Sequence, residues 1–257
     1  MNMTKKINNS KSDTGKMPSL KYQKSDFLTQ LTKAGLGAVP FVGSLLSEVA
    51  SSIIPNQRFD RVVAFAKKLE DKLEKLNKDF IHSQLADEAF VDVLEEGVMQ
   101  AAKSVSDERR EYIASIIANG LSEKEVEFSE TRRFLKLLSE LNDVEVIILR
   151  SYLVRTIGGD EVFREKHKHI IRRKPATMGS SELEKDKETI LNNYKEHLVS
   201  LDLLEKEYGS DMRTNLPEFD DFTHGLKVRG YRLTLMGRLF LKQIGLVETT
   251  DNLKIKD

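Results

Sequence analysis

Apolar residues recur at spacings of three and four along most of this chain, a period that admits little besides packed helices. Over 57–82, Val62, Ala66, Leu69, Leu73, Leu76 and Phe80 share one helical face. The seam is shorter than four heptads, so it suits packing inside a bundle, with dimerisation of a scaffold as the alternative use. Over 87–105, Phe90, Leu94, Val98, Ala101 and Val105 align in the same way. A third helix opens at Ser106, with Asp107 and Glu108 in the turn where the helix dipole favours acids. Tyr112, Ile113, Ile116 and Ile117 form its core face, and Asn119-Gly120 reads as its stop. A fourth covers 129–141 through Phe134, Leu135, Leu137, Leu138 and Leu141. Asn142 and Glu145 then stand at capping-box spacing and start a helix running to about 155. Connections this short predict an antiparallel bundle and a mainly α fold.

One stretch departs from this charged, periodic background. Leu31 to Ile54 carries charge only at Lys33 and Glu48. Gly35, Gly37, Pro40 and Gly43 make a hinge, and Phe41, Leu45, Leu46, Val49 and Ile53 then fall on one face of a helix over 40–54. Such a helix is roughly 22 Å long at about 1.5 Å per residue, short of the ~30 Å hydrocarbon core of a bilayer. Two uses remain: a buried core helix, or an amphipathic segment that binds a membrane or partner through those five residues. Residues 1–25 hold Lys5, Lys6, Lys11, Lys16, Lys21 and Lys24 against the single acid Asp13. That composition predicts a disordered basic arm over 1–26, a solvated tail or an attraction toward anionic lipid.

Composition narrows the function classes. Lys+Arg and Asp+Glu balance at 41 each, so no global field draws nucleic acid. Cysteine is absent, which removes disulfide and thiolate chemistry and fits a reducing compartment. No secretory signal is legible near the start, and the expected location is the cytoplasm, peripheral at the inner membrane if the apolar segment is used there. No phosphate loop, dinucleotide fingerprint, zinc-protease motif or nucleophile elbow occurs. The expectation is therefore no enzyme, no cofactor, no metal and no small-molecule substrate, with a protein partner or self-association instead. His167 and His169 stand inside a Lys/Arg cluster that disfavours a bound cation; His82, His197 and His224 read as isolated surface or helix-end residues, and Glu108 to Glu111 as helix-surface charge.

The last third changes character. A basic run holds Arg164, Lys166, Lys168, Arg172, Arg173 and Lys174, the residues a nucleic-acid reading would use. A helix over 182–201 directs Ile190, Leu191, Tyr194, Leu198 and Leu201 inward. Two short strands at 203–205 and 231–233 flank a long polar loop, and a helix over 235–245 closes the unit, with Thr234 at its cap. The stretches EHLVSLDLLEKE at 196–207 and GYRLTLMGRLFLKQIGL at 230–246, in this order of elements, resemble a winged helix. The resemblance implies a winged-helix-like α+β domain over 143–247, after a helical bundle over 27–142 and before a tail over 248–257. A DNA-binding use would place Glu188, Asn192, Asn193, Lys195, Glu196 and Val199 on the recognition face. Acids there, and Asp211, Glu218, Asp220 and Asp221 in the wing, disfavour phosphate.

A second resemblance covers residues 30–155. DERREYIASIIANGL at 107–121 and FLKLLSELNDVEVIILRSYL at 134–153 resemble bacterial abortive-infection alpha proteins, and the run at 40–43 is similar to glycine-rich amphipathic helices of membrane-acting cell-death domains. This resemblance implies phage defence by host shutdown through a membrane or a partner, and carries over no catalytic residue. A winged-helix transcriptional regulator and an oligomerising scaffold are the alternatives.

Overall fold

The computed structural model describes residues 40–49, 58–74, 76–122, 127–154, 160–171, 177, 179–210, 214, 216–220 and 224–247. Gly35, Gly37, Ile53, Arg172, Arg173, Lys174, the N-terminal arm and the C-terminal tail lie outside these. Among the described residues are eleven helices and one antiparallel two-stranded sheet, a mainly helical protein.

The bundle is built from α1 (Pro40–Val49), α2 (Phe59–Leu73), α3 (Lys78–Gln84), α4 (Glu88–Lys103), α5 (Asp107–Ser122) and α6 (Phe128–Glu140). Helix α5 is central. It packs against α2, α4 and α6, and Ile113, Ala114, Ile116 and Ile117 are almost wholly buried. Two glycines let neighbours approach closely. A Cβ on Gly97 of α4 would come within 2.5 Å of Ile117, and one on Gly120 of α5 would collide with the Thr131 side chain of α6. Gly120 is therefore not a helix stop. The helix runs on to Ser122, and the glycine serves contact with α6.

The expected long helix over 57–82 is two helices. The break has a local cause: the Asn77 side chain accepts from the backbone N–H of Asp79 at 2.8 Å and of Phe80 at 3.1 Å, starting α3 afresh. The new start rotates the apolar register, so Ile81 is buried and Phe80 is exposed. Of the rest of the seam, Val62, Ala66, Leu69 and Leu73 are buried within the monomer and Leu76 is half-buried. A dimer through that seam would have to unpack it. Val105 likewise falls beyond α4 and is exposed.

Helix α7 (Asp143–Ser151) starts at the expected capping box, with both Asn142–Glu145 hydrogen bonds present. Two short helices follow, α8 (Glu161–Lys166) and α9 (Lys168–Ile171). A second capping box, Ser181 with Glu184, opens α10 (Glu182–Ser200). Ile190 of α10 is exposed rather than inward, while Leu198 is fully buried. The hairpin β1 (Leu204–Tyr208) and β2 (Val228–Leu233) pairs Leu204 with Leu233 and Glu205 with Arg232, and its register shifts past Glu207. Helix α11 (Leu235–Gln243) closes the unit. Thr234 accepts from the Gly237 N–H at 2.8 Å, and Gly237 packs where a Cβ would strike the Leu203 carbonyl.

The two halves interlock. Helix α11 lies on α5, and the Asn119 side chain donates to the Gln243 carbonyl at 3.0 Å. Gly245, with φ of 77°, ends α11 against Ser115; a Cβ there would be 2.7 Å from the Ser115 Oγ, so space and backbone both require glycine.

Candidate functional site

The predicted binding face of α1 is docked. Phe41, Leu45 and Leu46 are buried, together with Val42, which the sequence reading passed over. The side chain of Val49 lies outside the described residues, and Gly43 sits half-buried inside the helix rather than in a hinge. Helix α1 packs on α2 and α4. Glu70 of α2 accepts from the Val42 N–H at 2.6 Å, so a carboxylate caps the positive end of α1. The Phe41 ring meets His82 edge-on at 5.2 Å, with the Lys78 ammonium 5.3 Å from the ring centre.

Removing these four side chains from the core would cost roughly 6–12 kcal/mol, at about 1.5–3 kcal/mol each. At about 1.4 kcal/mol per decade, fewer than about one molecule in 10⁴ would expose α1 unaided. Exposure needs an acceptor surface or a second event. Among the described residues no helix is long and apolar enough to cross a membrane.

The three described cations of the basic run at 164–174 each have an internal partner, while Arg172, Arg173 and Lys174 lie outside the described residues. Arg164 donates to the Val154 carbonyl, Lys168 pairs with Glu165, and Lys166 lies 4.0 Å from Glu108. On the predicted DNA-facing side of α10, Glu196 is engaged. Glu196 accepts from the Tyr231 hydroxyl at 3.0 Å and pairs with Lys206 at 2.7 Å.

Arg109 to Glu111 are not surface decoration. Arg109 donates to the carbonyls of Leu138 and Leu141 and at 2.8 Å to Asp143, tying α5 to the α6–α7 turn. Arg110 is buried and donates to the Ser104 carbonyl at 3.0 Å. Lys68 reaches Asp107 at 2.8 Å and Glu111 at 3.2 Å, and Lys72 also pairs with Glu111. The Lys68 hydrogen bond holds Asp107 below the usual carboxylate range; at Glu111 burial pushes upward, and the Lys72 and Lys68 ammoniums overcome it. Asp107 in turn raises Lys68.

His197 is not isolated either. Its Nδ1 lies 2.6 Å from Glu145 Oε1, and Glu145 is 3% exposed. A carboxylate accepts, so the ring nitrogen supplies the proton. The other Glu145 oxygen accepts the Asn142 N–H at 2.8 Å. One buried carboxylate thus caps α7 and fastens the end of α10 to it. Sequence spacing gave the cap; the histidine, 52 positions on, left no local signal.

Two concavities flank this junction. A cleft of about 850 Å³ opens between α7, α9, α10 and the hairpin, where Tyr152 and Tyr231 meet edge-on at 6.5 Å. Burial raises the phenol pKa of both, helped at Tyr152 by Glu207 and at Tyr231 by Glu196. A second hollow of about 710 Å³ lies between α5, α7 and α8, floored by Tyr112, Val146, Ile147 and Phe163. Burial there pushes the Tyr112 phenol up to about 12. Among the described residues no group of three or more His, Asp and Glu is placed to hold a metal ion. Comparison with known protein families, curated proteins and solved structures finds no match.

Proposed function

We propose that the chain is a non-enzymatic bacterial defence or stress protein of the abortive-infection kind, acting when α1 leaves its dock and meets an anionic inner-membrane surface or a protein partner. The carrying observation is the independence of α1. Among the described residues Phe41, Val42, Leu45 and Leu46, the Glu70 cap and the His82 and Lys78 contacts from α3 hold it, while α2, α4, α5 and α6 pack on one another without it. An anionic surface would rebury the face that the core gives up, and the basic residues of 1–26 would favour that surface.

The C-terminal unit is read here as winged-helix-like and used for contact with the bundle rather than for DNA. Support comes from the order α10, β1, β2, α11 with the Thr234 cap, and from the engagement of Glu196 with Tyr231 and Lys206 on the face a duplex would need.

The test is flotation of the full chain with vesicles of phosphatidylglycerol and phosphatidylethanolamine. Glu70→Ala removes the cap but leaves the apolar face of α1 intact. The variant is expected to float in larger fraction than wild type, and less in high salt. Equal flotation of the two proteins, or none from either, rejects the membrane route.

A further inference from the structure

Lys195 of α10 reaches toward the cleft beside the hairpin and has an unusual setting there. Its ammonium lies 5.5 Å from the centre of the Tyr231 ring, and among the described residues no carboxylate comes within ion-pair distance of it. Burial lowers its pKa, opposed by Glu188. The other charges of the cleft are mostly spoken for. Glu196 gives one oxygen to Tyr231 and the other to Lys206, and Arg229 pairs with Glu218. Arg164, whose donors to the Ser151 and Val154 carbonyls use one guanidinium nitrogen, adds a second cation, and among the described lining residues the acids are Glu196 and Glu207. The walls combine the Tyr152–Tyr231 corner with half-buried Ile171 and Leu191, and Asn192 offers an amide.

From this juxtaposition we infer that the cleft binds a small planar anion, a ring bearing one phosphate of the size of a nucleoside monophosphate. The ring lies against Tyr152 and the aliphatic wall, and the anionic group meets Lys195 and Arg164. About 850 Å³ is within the range of small-molecule sites, and the lining is more polar than such sites usually are, which suits a charged ligand rather than an apolar one. The molecule is bound and not turned over. This inference stands apart from the α1 reading and fails or survives separately from it.

Calorimetric titration of the full-length protein tests it, with adenosine 5′-monophosphate, adenosine and inorganic phosphate as probes. The monophosphate is expected to bind at least about tenfold more tightly than either fragment, since stacking and charge act together. Lys195→Gln should weaken it about tenfold, Lys195→Arg should retain it, and Lys136→Gln on exposed α6 should change nothing. The Lys195→Arg arm separates loss of charge from loss of fold. No heat from the monophosphate at millimolar concentration overturns the inference. So does equal binding of phosphate alone, or a Lys195→Gln protein that binds as wild type.

Discussion

Gly120 and Glu145 show how single residues carry information that a local reading misassigns. In an exposed helix, glycine to alanine stabilises by about 1 kcal/mol. At Gly120 the added Cβ meets Thr131, which is buried and β-branched. Gly120→Ala is therefore expected to destabilise by about 1–3 kcal/mol in urea unfolding, as overpacking does. Adding Thr131→Ala should recover part of that loss; a stabilised single variant would show that α5 and α6 do not meet as closely as described. For Glu145, His197→Ala leaves a buried carboxylate short of a donor, an expected loss of about 1–3 kcal/mol. A change below about 0.5 kcal/mol would mean that the contact adds nothing to the cap. The caps at Asn142 and Thr234 were legible because each partner stands three positions away, Glu145 and Gly237; Ser181 with Glu184 has the same spacing and was read only as the end of a loop. His197, Arg109 and Lys195 were not legible, because their partners lie far along the chain.

Among the elements, the pairing of α2 with α5 has a defined pH signature. Asp107 and Glu111 have depressed pKa values, so their stabilising contribution is present above the ordinary carboxylate range and lost as pH falls through the lowered folded values. Lys68 is raised, so its contribution is present below its ordinary value and lost as pH rises through the folded one. Solvent screening keeps each such pair below about 1 kcal/mol. Lys68→Met should accordingly lose less stability than wild type between pH 7 and pH 3, read as the shift in urea midpoint; identical slopes would remove the network from the account. Helix existence was readable from the 3.6-residue period for the longer helices, and not for the short α8 and α9, which the sequence shows only as a basic run. The break after α2 was not readable, since the apolar spacing of Leu76 and Phe80 continued across Asn77 and the cap overrode it. Secondary structure followed the backbone's nearest donor, not the hydrophobic tally.

At the scale of the molecule, the bundle and the C-terminal unit share α5. Asn119→Ala is expected to raise hydrogen exchange in α11 selectively while the amides of α2, α4 and α5 stay protected. A uniform rise would mean the lock is global rather than local. The mainly helical class could be read from patterning and capping; the return of α11 onto α5 could not, because two residues 124 positions apart share no sequence window.

That return has a consequence for anyone who divides the gene. Split near residue 142, the leading fragment would carry α5 with a bare strip, and the trailing fragment would carry α11 with nothing beneath it. Each piece would be sticky alone and complete only with the other. Co-produced halves should find one another, which suits this chain to complementation reporters and makes isolated-domain expression a poor route to well-behaved material.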